Sequence, residues 1–324
     1  MIFGRNKQLA FSLVELMVAM IISLFLSAGI FSMFSMSATN VTTTSQFTQL
    51  QENGRIALAI MERDISQLGF MADMTGTDFV VGSNTQINSS AVPNDCVGAG
   101  VNNSTLPNAT PSHFRRLWGY ENGVSATTFS CLSDVNSKTD VLQIKRLIGT
   151  QQPIAPTNTK RHYVVATANQ AIFFEGAATP PALLNGRYWE YQHHIYFLRD
   201  DGDIPILRRR TLTVGNGMGN EEQLVEGIEN MRVLYGFDSD GDDTADSFMP
   251  AQNVTELMWD NRVFQRLVAL RVYLLVRATE EDTSYTNTTA YSLGDKKFTA
   301  PGDHYRRKVV STTVVLENPV MIRN

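Results

Sequence analysis

The chain has 324 residues, 43% of them hydrophobic, with 27 basic against 32 acidic side chains, a formal net charge of −5 and two cysteines. That length supports a membrane-anchoring segment plus one large domain. The acidic balance disfavours a general nucleic-acid binder, and the sequence holds no GxSxG, HExxH, phosphate loop or GxGxxG to suggest an enzyme.

The first element is a short leader in which Arg5 and Lys7 join the terminal amine as a basic flank of the positive-inside kind. Ala10-Phe11-Ser12-Leu13-Val14-Glu15-Leu16-Met17 follows, and no charge occurs between Leu16 and Gln51. The apolar run from Phe11 to Met36 exceeds the roughly 20 residues needed to cross a bilayer. An ordinary secretory signal is cut after its apolar core. Here the small residue precedes that core, so loss of the leader leaves the helix attached. As a plain anchor, the segment would carry Glu15 at a cost of about 2.5–3.5 kcal/mol at mid-bilayer and less near the interface.

These residues resemble the cleavage and methylation signal of the type IV pilin and pseudopilin superfamily. The resemblance implies that a prepilin peptidase cuts between Ala10 and Phe11, methylates the Phe11 amine, and leaves Glu15 as the assembly carboxylate. The family usually has Gly before the cut, and Ala10 is the nearest small substitute. In a helix bundle a buried amine and a buried carboxylate are each penalised alone, whereas a pair offsets much of the cost and fixes the register.

Helical periodicity continues beyond the apolar run. Phe47, Leu50, Ala57, Leu58, Met61, Ile65 and Leu68 recur at three- and four-residue spacing, with Glu52, Arg55, Glu62 and Arg63 mostly on the other side. The chain is thus divided into a leader (1–10), a transmembrane and assembly helix (11–36) and an amphipathic continuation (37–68) ending at Gly69, a suitable left-handed cap. The β-branched run Val41-Thr42-Thr43-Thr44 is expected to be a weak point where the helix melts locally.

Residues 69–139 are rich in Gly, Ser, Asn, Thr and Pro and read as a loop-rich region. They contain both cysteines. In a domain exported past the inner membrane, Cys96 and Cys131 are read as a disulfide, worth roughly 3–4 kcal/mol in the chain-entropy model. Their spacing does not suit a CxxC redox pair, and without nearby histidines they make a poor zinc site.

Residues 140–324 read as an antiparallel sheet region. Val141 to Ile148, Tyr163 to Thr167 and Ala171 to Phe174 are strands, and His194 to Arg199 meets Ile206 to Arg210 across a turn at Asp200-Asp201-Gly202-Asp203. Leu267 to Arg277 alternates, with Val268, Leu270, Val272, Leu274 and Val276 on one face, and Lys308 to Leu316 is the last strand. The fold class is therefore α+β: a long N-terminal membrane-spanning helix packed on an antiparallel sheet with long loop insertions. His193 and His194 point to opposite faces and cannot chelate one metal together. The Arg208-Arg209-Arg210 and Arg306-Arg307-Lys308 runs read as strand faces or ion-pair partners, and Trp118, Trp189 and Trp259 as packing anchors.

One further segment carries chemistry: Asp238-Ser239-Asp240-Gly241-Asp242-Asp243-Thr244-Ala245-Asp246. Asp238, Asp240, Asp242 and Asp246, with the Thr244 carbonyl, form a candidate Ca²⁺ loop, since calcium accepts six to eight oxygens in flexible geometry. The other reading is a solvated acidic turn.

The segments from Val225 to Gly236 and from Tyr305 to Val314, with the N-terminal signal, resemble PilW-type minor pilins. That resemblance implies a type IV pilin-like fold in a low-abundance subunit of the type IV pilus. Its expected partners are other minor pilins, the major pilin, the prepilin peptidase and the inner-membrane assembly platform, in a complex that primes or caps the fibre. The globular domain is expected in the periplasm and then on the pilus, and DNA binding is not expected. A type II secretion minor pseudopilin and a membrane-tethered extracytoplasmic binding protein are the alternative readings.

Overall fold

The computed structural model describes residues 12–153 and 158–318. Its first helix, α1, spans Leu13–Ser66. The chain separates into two compact units, Met1–Thr48 and Gln49–Asn324.

In the first unit, the stretch Leu13–Ser37 is long and apolar enough to cross a membrane, and none of it is buried by the rest of the protein. The helix is continuous through the β-branched run Val41 to Thr44. The Thr44 and Thr48 hydroxyls donate to the Asn40 and Thr44 carbonyls at 2.8 and 2.9 Å, so these hydroxyls are satisfied within the helix.

In the second unit the last turns of α1 bury Leu50, Ala57, Met61 and Ile65. The helix ends at Ser66, two residues before the expected limit, and Gly69 takes a left-handed conformation with φ 81°. Gly54 lets α1 approach the sheet closely. A Cβ there would lie 2.9 Å from a methyl of Val310 and 3.1 Å from one of Val276.

The strands are β1 (Thr85–Asn88), β2 (Leu117–Glu121), β3 (Asp140–Leu147), β4 (His162–Ala166), β5 (Ala171–Glu175), β6 (Arg187–Asp201), β7 (Ile204–Thr213), β8 (Gly217–Glu226), β9 (Ile228–Asp238), β10 (Ser247–Pro250), β11 (Arg266–Arg277), β12 (Ala290–Leu293), β13 (Lys296–Thr299) and β14 (Arg307–Val315). A short helix, α2 (Glu256–Trp259), precedes β11. The expected single sheet is replaced by two larger ones and a hairpin. An eight-stranded sheet has the order β1-β5-β4-β6-β3-β2, with β7 joining β6 to β8; a four-stranded sheet runs β10-β9-β11-β14; β12 and β13 pair alone. β6 is 15 residues long, which lets it serve β3, β4 and β7 at different points. Its hairpin with β7 falls where Gly202 was expected to turn the chain, with Asp201 opposite Ile204.

The loop-rich region contributes more than loops. β2 extends the first sheet antiparallel to β3, and β1 pairs in parallel with β5, a departure from purely antiparallel pairing. Within this unit one face of the first sheet receives α1 through Asp64, and the other is covered by the segment around residues 95–116. There Lys145 Nζ donates to Asn103 Oδ1 at 2.9 Å and to the Ser104 carbonyl at 2.7 Å. Phe79, Phe114, Trp118 and Phe129 of the loop-rich region belong to the main core.

The two sheets are joined through Arg232 of β9. Its guanidinium reaches Glu121 of β2 at 2.8 Å, Asp140 of β3 at 3.0 Å and Asp295, beside β13, at 2.7 Å. Asp140 also accepts from the Val233 amide at 2.7 Å. Burial pushes its carboxyl up to about 6 against the pull of Arg232.

Candidate functional site

Glu15 sits in the first turn of α1, and its side chain is used locally. The Ser12 amide donates to Glu15 Oε2 at 2.9 Å, while the Glu15 amide donates to Ser12 Oγ at 3.2 Å. This reciprocal pair is a capping box, which satisfies backbone donors that the helix start otherwise leaves open. Ala10 and Phe11, the expected cleavage and methylation residues, lie outside the described residues.

Cys96 and Cys131 form a disulfide with a Cα–Cα distance of 5.0 Å and a sequence separation of 35. Beside it, Trp118, Tyr120 and Phe129 pack ring against ring, with centroids 4.9 to 5.7 Å apart. The bridge therefore closes the loop that covers the first sheet and limits the conformational entropy that this segment gains on unfolding.

The acidic turn connects β9 to β10. Asp238, Asp240 and Asp246 bring ligand oxygens within 4.8 Å of one another. Asp242 does not join them: its Oδ1 accepts from the Thr244 amide at 2.8 Å and from the Thr244 hydroxyl, so the five-ligand set is not assembled. Asp238 accepts from the Gly241, Asp240 and Asp243 amides at 2.6, 3.1 and 3.1 Å. Arg266 supplies a cation at 2.9 Å from Asp238 and 3.1 Å from Asp243. The Gly241 amide, the neighbouring amides and Arg266 hold the Asp238 carboxyl below its ordinary range.

His193 and His194 face opposite sides of β6 as expected. His193 lies 3.1 Å from Thr105 Oγ1 and 3.0 Å from Gln143 Nε2, and His194 Nδ1 lies 2.5 Å from Asp64 Oδ2. The arginine runs are ion-pair partners: Arg208 meets Glu221 at 2.9 Å, Arg209 meets Glu222 at 2.7 Å, Arg306 meets Asp282 at 2.6 Å and Arg307 meets Glu229 at 2.6 Å. The three tryptophans are buried.

Sequence reading missed a polar cluster between α1 and the first sheet. Asp64 pairs with Arg146 at 2.6 Å, takes a hydrogen bond from Tyr196, and has Arg209 at 3.7 Å. Burial would push its carboxyl up, but His194, Arg146 and Tyr196 together hold it well below the usual carboxylate range. Burial likewise lowers His194, against the pull of Asp64. The signal was present in α1, since Asp64 follows Met61 by three residues and precedes Leu68 by four, an acid on the apolar face.

Comparison with known proteins gives two family matches. Residues 195–318 match the family described as Type IV Pilus-assembly protein W, and residues 5–31 match the prokaryotic N-terminal methylation motif. A search of curated proteins finds no match. Among solved structures, a type IV-like pilin from Thermus thermophilus is similar over 85% of this chain and 98% of its own, at 14% identity and a TM-score of 0.39, too loose a likeness to argue from.

Proposed function

The chain belongs to the type IV pilin superfamily and is of PilW type, and on that basis we propose that it is a minor pilin that joins other minor pilins in a complex priming or capping the fibre. The observation that carries the reading is a single carboxylate, Glu15, at the head of an uncharged and wholly exposed apolar helix whose chain ends in strands of the pilus-assembly family. A prepilin peptidase removes residues 1–10 and methylates Phe11. The apolar helix holds the subunit in the inner membrane with its folded part in the periplasm until the assembly platform passes it to the fibre. Burial among neighbouring helices then pairs the Phe11 amine of one subunit with Glu15 of another, because an unpaired charge there is strongly penalised. The role is structural, and the chemistry is done to the chain rather than by it. A type II secretion pseudopilin would share the N-terminal signal, whereas the match over residues 195–318 favours the pilus.

Two measurements test this reading. Intact mass of membrane-extracted protein should give a species that starts at a methylated Phe11; a mature chain retaining Met1 to Ala10 sinks the processing step. Glu15→Ala should leave insertion and folding intact while lowering pilus number and recovery of other minor pilins several-fold in a complemented deletion strain. Wild-type values for both would remove the pairing role.

The proposal also includes Ca²⁺ at the acidic turn. Asp238, Asp240 and Asp246 would offer the first oxygens, with Asp238 exchanging Arg266 for the ion and Asp242 and the Thr244 carbonyl turning inward to complete the shell. Calcium at matched ionic strength should raise the melting temperature by mass action. Asp240→Ala combined with Asp246→Ala should abolish that rise, and an equal response in both proteins would leave the turn closed by Arg266 alone.

A further inference from the structure

A cavity of about 350 Å³ lies in the second unit between the last turns of α1 and the face of the first sheet. Arg63, Arg146, Arg161 and Arg209 line it, against Asp64 and Glu222 as the carboxylates in its wall. Ile60, Ile148 and Leu224 add an apolar part. Four guanidiniums against two carboxylates leave an excess of positive charge, and His194 in the same wall is held toward its neutral form by burial.

Two of the four arginines are fixed by neighbours within the wall. Arg146 is held by Asp64 at 2.6 Å and Gln67 at 2.7 Å, and Arg209 by Glu222 at 2.7 Å. The other two are less committed. Arg161 has only Glu190, 3.8 Å away, and Arg63 has no carboxylate partner among the described residues. The lining is also under-satisfied: Arg146 Nε, Thr211 Oγ1 and Gln192 Oε1 are covered from solvent yet have no protein partner. Buried polar groups without partners are uncommon enough that each needs a reason. Here two are donors and one is an acceptor.

We propose that this cavity binds a small oxyanion that carries its own hydroxyl, such as hydrogen phosphate or a hydroxycarboxylate, with Arg63 and Arg161 closing over it and Arg146 and Arg209 presenting a preorganised floor. The oxyanion takes the excess guanidinium charge, for which planar forked donors are the best match. With side-chain rotations at Thr211 and Gln192, the Thr211 hydroxyl donates to its oxygens and its own hydroxyl donates to Gln192 Oε1, while Arg146 stays fixed on Asp64 and Gln67. The volume lies at the low end of the roughly 300–1,000 Å³ of small-molecule sites, which suits a ligand of this size.

The test is calorimetric titration of the full chain in detergent with sodium phosphate and, separately, with malate, each against chloride at matched ionic strength. Melting curves are recorded in parallel. One site per chain and a rise in melting temperature of several degrees at millimolar ligand are expected for at least one of the two anions, and which one responds identifies the source of the oxyanion. Arg63→Gln combined with Arg161→Gln, two changes at the mouth that leave the Asp64 cluster intact, should lower the affinity at least tenfold with the unliganded melting temperature unchanged. Arg55→Gln, on the exposed side of α1, should bind as wild type does. Heats no larger than those of chloride, or equal binding by wild type and the Arg63/Arg161 variant, would overturn the proposal.

Discussion

The two ends of α1 solve the same backbone problem in different surroundings. Up to Thr48 the helix leaves its large apolar side chains uncovered, with Leu24 70% and Phe25 76% exposed; after Gln49 it buries Met61 and Ile65 completely. Gly29 has nothing within 4 Å of where a Cβ would stand, while Gly54 faces valine methyls at 2.9 to 3.1 Å. One continuous hydrogen-bond ladder therefore carries a half suited to hydrocarbon or to other helices and a half finished by its own domain. Hydrophobicity alone does not separate these halves. The distinction lies in which apolar stripe has a sheet to cover it.

Three substitution experiments break or sharpen this contrast, all read by tryptophan fluorescence during urea unfolding of detergent-extracted protein. The probe suits the purpose because Trp118, Trp189 and Trp259 all lie in the second unit. Arg146→Met should have the largest effect, a loss of about 3–5 kcal/mol, because it removes the closest guanidinium from the buried Asp64 carboxylate and leaves His194, Tyr196 and the more distant Arg209 to offset it. The folded-state pKa of Asp64 is depressed, so its contribution is present above the ordinary carboxylate range and is lost as pH falls through the folded value. The gap between wild type and variant should accordingly narrow in acid, and a pH-independent gap would count against the ion pair.

Met61→Ala should lose about 2–5 kcal/mol by leaving a cavity in the core, whereas Met33→Ala, 75% exposed, should stay within about 0.5 kcal/mol. Equal losses from the two would mean that the exposed half contributes to domain stability. The smallest effect is expected for Gly54→Ala. Overpacking of about 1–3 kcal/mol is partly offset by a gain of about 1 kcal/mol in helix propensity, for a modest net loss. Gly29→Ala should leave the fluorescence-detected stability unchanged, and a stabilised Gly54→Ala would show that Val310 and Val276 yield easily.

The strands were legible wherever alternation and turn residues agreed. In β11, Leu270, Val272, Leu274 and Val276 enter the core as predicted, whereas a register shift between Leu267 and Ala269 puts Leu267 there in place of Val268, and the β6–β7 hairpin turns at Gly202 as its sequence requires. The partition into two sheets was not legible, because it depends on which strands pair across long stretches of chain rather than on the period within each. The loop-rich region misled for a related reason. Phe79, Phe114, Trp118 and Phe129 are separated by polar residues without a period, yet all four are buried. At the candidate sites, the Glu15 signal and the cysteine pair could be read from local context. The cavity could not, since Arg63, Arg146, Arg161 and Arg209 come from α1, β3, the turn before β4, and β7. In the acidic turn the spacing suggested five convergent ligands, but Asp242 found a nearer partner in Thr244.

The bolt through Arg232 has a consequence for the order in which the molecule matures. Glu121 and Asp140 are made early, while Arg232 and Lys296, which neutralise them, are made 92 or more residues after Asp140. A first sheet that closed by itself would enclose carboxylates with no counter-charge, at a cost of several kcal/mol per ion. The early strands thus gain little from completing their inner face before β9 and the β12–β13 hairpin arrive. Contacts this distant in sequence also make folding slow. The second unit should then mature as a single late event, after most of the chain has been made, and a translation product truncated before β9 should remain open to protease.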